Sequence, residues 1–161
     1  MTIIKKYKSP NYENRRGCVP DIIVDHITAS STASSAINTF LNSKNEVSSN
    51  YIVDKDGSVY EMVPIQYAAW CNGTTSNGDN RDYRKATNPI VKSRSHNANL
   101  YTISIEHVNE GGGALTAAQL AASIELHKYI RAEVQRIYNR TIPADRTHII
   151  GHYEINPITR P

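Results

Sequence analysis

Apolar positions along the chain alternate between two periods. DIIVDHIT, residues 21–28, has period two: Ile22, Val24 and His26 fall on one face of a predicted strand, and Ile23, Asp25 and Ile27 on the other. From Thr32 to about Leu41 the period lengthens to that of a helix. Ala33, Ala36, Ile37 and Phe40 share a side, with Thr32 or Ser31 as cap. NYIVD and SVYEMV return to strand character, and the Lys55-Asp56-Gly57 turn between them predicts a hairpin. The stretch from Cys71 to Asn99, rich in Asn, Gly, Ser, Thr and Arg, shows neither period. It predicts a long surface loop with little regular structure. YTISIEHV follows as a strand that sets Thr102, Ser104 and Glu106 against Tyr101, Ile103, Ile105 and His107. Leu120, Ile124, His127, Ile130, Val134 and Ile137 then recur at helical spacing to about Tyr138. A Thr116–Gln119 capping-box pattern and a Leu115–Leu120 staple open that helix, and Asn139 and Pro143 end it. RTHII is a last short strand, after which Gly151 opens a loop carrying His152.

Strands and helices alternate, but one strand pair is a hairpin. The expected fold is therefore α/β: one domain with a central mixed sheet flanked by helices. The length of 161 residues suits one domain with a real core. A hydrophobic fraction of 39% and a charged fraction of 20% are those of an ordinary soluble globular protein. The net charge of +3 is too weak to imply nucleic acid, yet it suits an anionic surface. No run approaches the ~20 apolar residues that span a bilayer, and the first residues lack the apolar core of a secretory signal. The expectation is a protein made in the cytoplasm without a signal peptide and not inserted in a membrane. Cys18 and Cys71 stand alone, without CxxC spacing, and read as free thiols and small hydrophobes. Ten tyrosines against one tryptophan and one phenylalanine suggest half-exposed aromatics along a polar groove.

Three of the strand-like runs end in, or lead to, a metal-competent or proton-handling side chain: His26, Glu106 and His152. Two imidazoles and a free carboxylate are what a zinc hydrolase site needs. Imidazole ligates Zn²⁺, and the carboxylate takes a proton from water that the metal has acidified. The remaining histidines read differently. His127 lies in the apolar stripe of the long helix and reads as a satisfied core residue. His96 sits in the polar loop, and His107 faces away from Glu106. His148 stands four residues before His152, but a strand and a glycine turn do not bring the two together as a helix would. A glycine-led loop at a strand end favours His152 as the ligand.

These segments resemble a known family. IIVDHITAS looks like the first zinc-histidine strand of type 2 N-acetylmuramoyl-L-alanine amidases, which share their fold with peptidoglycan recognition proteins. SSNYIVDKDGSVYEMVP is similar to that family's hairpin, AAWCNG to its Ala-Trp-His-Ala-Gly motif, NLYTISIEHVN to its Ser-Ile-Gly-Ile-Glu strand, and IIGHYEINPITRP to its Gly-His-X-Asp/Glu-Ile segment. The five matches run in order from about residue 20 to the last residue.

The resemblance implies roles. His26 and His152 are the expected zinc ligands, and Glu106 the general base. Arg160 stands where many relatives carry an oxyanion-stabilising lysine; it keeps the charge with a different fork geometry. Asn50, Tyr51 and Trp70 are expected beside the substrate. The pattern departs twice: Asn50 occupies a position often held by histidine, and Cys71 replaces the histidine of the Trp motif. The family's third ligand, Asp or Cys, falls just after Pro161. Residues 1–161 are thus expected to be the zinc amidase catalytic domain of a longer protein with a wall-binding domain. The implied activity is cleavage of the bond between N-acetylmuramic acid and L-Ala of the peptidoglycan stem peptide, with Zn²⁺ as cofactor and a monomeric, endolysin-type enzyme that reaches the wall after release. A non-catalytic peptidoglycan-binding module and a zinc peptidase acting on the stem peptide are the alternatives.

Overall fold

A computed structural model describes residues 1–160 of the chain. Six strands form one sheet: β1 (Ile3–Ile4), β3 (Ile22–Ile27), β4 (Tyr51–Val53), β5 (Val59–Glu61), β7 (Thr102–His107) and β8 (Ile149–Gly151), in the spatial order β1-β5-β4-β7-β3-β8. Only the β4–β5 hairpin is antiparallel; every other pairing is parallel, so the sheet is mixed as expected. Strands β2 (Tyr12–Asn14) and β6 (Tyr67–Ala69) make a separate antiparallel pair. The hairpin turn depends on Gly57, whose φ of +87° is costly for any other residue. A Cβ there would also stand 3.0 Å from the Ala118 carbonyl oxygen.

Helix α3 (Ala117–Tyr138) covers one face of the sheet. Leu126, Ile130 and Val134 pack there against Ile23, Val53, Ile103 and Ile105. Helix α1 (Ala33–Leu41) lies on the other face and buries Ala33, Ala36, Ile37 and Phe40 against Ile52, Met62 and Val108, with Thr32 capping the Ser35 amide. The two faces of β3 and β7 are thereby assigned: odd-numbered positions go to α3, and even-numbered positions, including His26 and Glu106, go to the α1 side.

Two expectations about these elements need correction. The α3 stripe is rotated from the one read in the sequence: Gln119, Ser123, Leu126, Ile130 and Val134 are buried, whereas Leu120 and Ile124 are about half exposed. The reason is at the first turn. Thr116 caps the Gln119 amide, but the Gln119 side chain turns inward to donate to the Val53 and Val108 carbonyls instead of closing a capping box. That polar anchor takes the inward position, and Leu120 and Ile124 turn toward an open groove. Leu126→Ala is therefore expected to destabilise the fold by about 2–5 kcal/mol, while Leu120→Ala changes stability by about 0.5 kcal/mol or less. Urea unfolding of the two variants distinguishes this facing from the one read in the sequence.

The segment from 71 to 99 is also more ordered than a surface loop. It contains the short helix α2 (Pro89–Lys92) and buries Asn72, Thr74, Asp82, Asn88, Val91, Ala98 and Asn99. Its Asn, Asp and Thr side chains satisfy backbone amides directly and substitute for regular structure. Asn88 caps Ile90 and Val91, Asn97 accepts from the Thr74 and Asn99 amides, and Asn99 accepts from the amides of Cys71 and Asn72. Asp21 ties the segment to the start of β3 through a two-point pair with Arg94 at 2.7 and 2.8 Å.

Candidate active site

Strand register builds the site. On neighbouring parallel strands, His26 of β3 pairs directly with Glu106 of β7. Both side chains leave the same face, His26 Nδ1 lies 3.9 Å from Glu106 Oε1, and both residues are more than nine-tenths buried. On the other side of β3, Asp25 pairs with Gly151, the last residue of β8. The next residue, His152, begins a single helical turn, and its ring centre lies 4.3 Å from that of His26, the two planes tilted by 59°. Asn156 Nδ2, one turn on, lies 3.1 Å from His152 Nε2 and steadies the ring. His26, Glu106 and His152 thus converge in one place.

Cys71 joins them. Its backbone sits in a turn fixed from both sides: Asn99 Oδ1 accepts the amides of Cys71 and Asn72, and the Asn72 side chain donates to the hydroxyls of Thr102 and Ser104 on β7. Thr102 and Ser104 share the Glu106 face, so a polar stripe on one strand anchors the turn that delivers the thiol. The sulfur lies 3.5 and 3.6 Å from the two His26 ring nitrogens and 3.6 Å from Glu106 Oε1. Ligand atoms of His26, Cys71 and Glu106 all fall within 4.8 Å of one another, close enough to hold a single metal ion. Reading Cys71 as only a small hydrophobe missed this. The available signal was its place in the Trp motif, where histidine is common.

The electrostatics fit a cation. Burial holds the His26 imidazole well below its ordinary pKa, and the neighbouring His152 adds to the effect. Burial and Arg160 bring His152 down to about 4. Both rings are therefore neutral at physiological pH, the form in which imidazole ligates metals. Burial pushes Glu106 up to about 8, against the Cys71 hydrogen bond and the Arg160 charge. The Cys71 thiol is pushed up as well, by burial and by Glu106. Glu106 Oε2 is buried with no hydrogen-bond partner. A buried group of two imidazoles, a thiol and a carboxyl with one unpartnered oxygen is a donor set that a divalent ion would fit.

The site opens into a cavity of about 1210 Å³. Its walls include Ile27, Leu120, Ile124, Tyr153 and Arg160, all exposed enough to meet a ligand. Of the other expected site residues, Arg160 lines the cavity, whereas Asn50 and Tyr51 do not. Asn50 is fully buried, with its amide donating to the Val63 and Tyr67 carbonyls and its oxygen accepting from the Ser104 amide. Tyr51 is also fully buried; it pairs with Ile105 on the α3 side of the sheet and points its hydroxyl at Glu61. Both side chains are held within the sheet, and neither lines the cavity where substrate contact was expected. Trp70 is half-buried beside the Cys71 turn, where its amide donates to the Ser48 hydroxyl. His148 pairs with Asp145 at 2.7 Å, and His127 of α3 lies 3.2 Å from Asp25, on the part of the cavity wall that Leu120 and Ile124 also line.

A mixed sheet whose strand ends bring two imidazoles, a thiol and a carboxyl to the head of a groove, in a group that could hold a metal ion, has the layout of an α/β hydrolase site. Residues 15–160 match the model of the N-acetylmuramoyl-L-alanine amidase family, and the chain belongs to that family. Its fold is that of several solved structures. An AmpD derivative is 19% identical, with 98% of this chain and 85% of that one covered at a TM-score of 0.67. PlyL is 20% identical, with 100% and 87% covered at 0.63. The endolysin amidase LysCS from Clostridium intestinale URNW is 16% identical, with 99% and 86% covered at 0.61. No curated protein sequence matches the chain.

Proposed function

We propose that the protein hydrolyses peptidoglycan at the amide bond joining the lactyl carbonyl of N-acetylmuramic acid to the L-Ala of the stem peptide, with zinc as cofactor. The observation that carries this reading is the His26–Glu106 pair, set side by side by strand register with the His152 ring against it, in a chain of the amidase family. His26 and His152 would hold the metal, and a zinc ion bound there acidifies water and polarises the scissile carbonyl. Glu106 accepts the proton of the attacking water and returns it to the leaving amine of L-Ala. Burial raises the Glu106 carboxyl to about 8, which favours its holding the proton until the amine leaves. Arg160, on the cavity wall, stabilises the negative charge that develops on the carbonyl oxygen.

The groove fits such a substrate: Ile27, Leu120 and Ile124 offer apolar contact for a sugar face or the stem peptide, and the net charge of +3 favours an anionic wall polymer. No helix among the described residues is long and apolar enough to cross a membrane. Likeness to an endolysin amidase from C. intestinale supports the endolysin-type reading, under which the enzyme acts on the wall; release to the wall and a monomeric state are part of the proposal.

The test is a digest of purified peptidoglycan. New L-Ala amino termini are expected to accumulate with time, without new reducing sugars. Amino termini internal to the stem peptide would identify a peptidase, and binding without release of any product would identify a recognition module.

A further inference from the structure

We infer that Cys71 is itself a metal ligand, binding as the thiolate beside His26 in the His26–Cys71–Glu106 group, with His152 supplying the second imidazole as in the proposed function and Glu106 kept for protons. The inference deepens the zinc reading of this site and rests on it for the identity of the metal. Its first support is distance. Tetrahedral zinc with Zn–S of about 2.3 Å and Zn–N of about 2.0–2.1 Å holds sulfur and nitrogen roughly 3.6 Å apart. Cys71 Sγ stands 3.5 and 3.6 Å from the nitrogens of His26, so one ion can bridge them without movement of the backbone.

The second support is independent of the cysteine. Glu106, more than nine-tenths buried, aims a carboxylate oxygen that has no partner in the closed site. A thiol packed as a plain hydrophobe explains neither that oxygen nor the three polar neighbours around the sulfur. Nor does the turn bring Cys71 here by accident. Four hydrogen bonds, from the Cys71 and Asn72 amides and from the Asn72 side chain, fix its position against β7. Soft thiolate and imidazole together select zinc over magnesium or calcium, whose ligands are oxygens.

The chemistry balances without any redox partner. Metal binding replaces the S–H bond by a metal–sulfur bond and releases one proton per site, for which Glu106, 3.6 Å away, is the adjacent acceptor before solvent. The division of labour also follows from charge. With two neutral imidazoles, one thiolate already lowers the site from +2 to +1, and a carboxylate left unligated keeps its basicity for the reaction.

The experiment is cobalt substitution of the purified chain, read by absorption. Cys18 is the one other cysteine, so Cys18→Ser leaves Cys71 as the sole thiol. Cobalt-loaded parent and Cys18→Ser proteins are expected to show a thiolate-to-cobalt charge-transfer band in the near ultraviolet. Cys71→Ser is expected to lose the band and to bind zinc about tenfold or more weakly in chelator competition. X-ray absorption of the zinc-loaded Cys18→Ser protein, which needs no change at Cys71, should show one sulfur in the shell. A zinc shell without sulfur, a band that survives Cys71→Ser, or a chain that takes up no metal would each overturn the assignment. The peptidoglycan digest separates the two readings: amidase products from a protein with no metal–sulfur band remove Cys71 from the ligand set and leave the amidase standing.

Discussion

Glu106→Ala is expected to slow peptidoglycan hydrolysis by about 10²–10⁴-fold, the usual cost of losing a general base, while the protein keeps its metal. Glu106→Gln, which preserves shape but accepts no proton, should fall by a similar factor. The reasoning starts from β7, buried on both faces, where period-two alternation sends Glu106 to the His26 side and the pairing His26↔Glu106 sets the two side by side. Burial raises the carboxyl to about 8, and one of its oxygens meets no protein donor. That oxygen is free for water. Metal content and L-Ala release, measured on the same preparation, decide the matter: parental hydrolysis by Glu106→Ala removes the base from the mechanism, and metal lost together with activity makes Glu106 a ligand instead.

His26→Ala is expected to lose metal and activity together. The metal's stabilisation of developing charge is worth several kcal/mol, so the rate should drop by about 10³-fold or more. His152→Ala should behave in the same way, because its ring lies 4.3 Å from that of His26. His148→Ala is the control. Its imidazole pairs with Asp145 away from the groove, and both metal content and rate should stay near the parent's. Metal analysis after dialysis, with hydrolysis assayed in parallel, tests all three. Loss of metal from His148→Ala with retention in His152→Ala would reverse the choice between these two histidines, which stand four residues apart in the sequence.

The sequence alone determined the elements and the faces of the strands. Alternation in DIIVDHIT and YTISIEHV put His26 and Glu106 opposite their apolar neighbours, Thr32 and Asn139 marked helix ends, and Asp56-Gly57 marked the hairpin. Each of these depends on a period or a cap that operates within a few residues, so it is legible locally. Motif order along the chain carried the family as well.

Tertiary structure decided the rest. Whether His26 meets Glu106 depends on the register of β3 against β7, which alternation leaves open by any even number of residues. Leu120 and Ile124 fit a helical stripe as well as Leu126 does, but the inward hydrogen bonds of Gln119 rotate α3 and hand those two side chains to the groove. Asn50 and Tyr51 were polar or aromatic residues beside a motif; register put Tyr51 on the α3 face, and three hydrogen bonds took Asn50 into the sheet. Cys71 reversed the other way, from an isolated thiol to a member of the site. Its place is set by Asn99, Thr102 and Ser104, about thirty residues further along the chain, and contacts at that separation exist only once the sheet has formed.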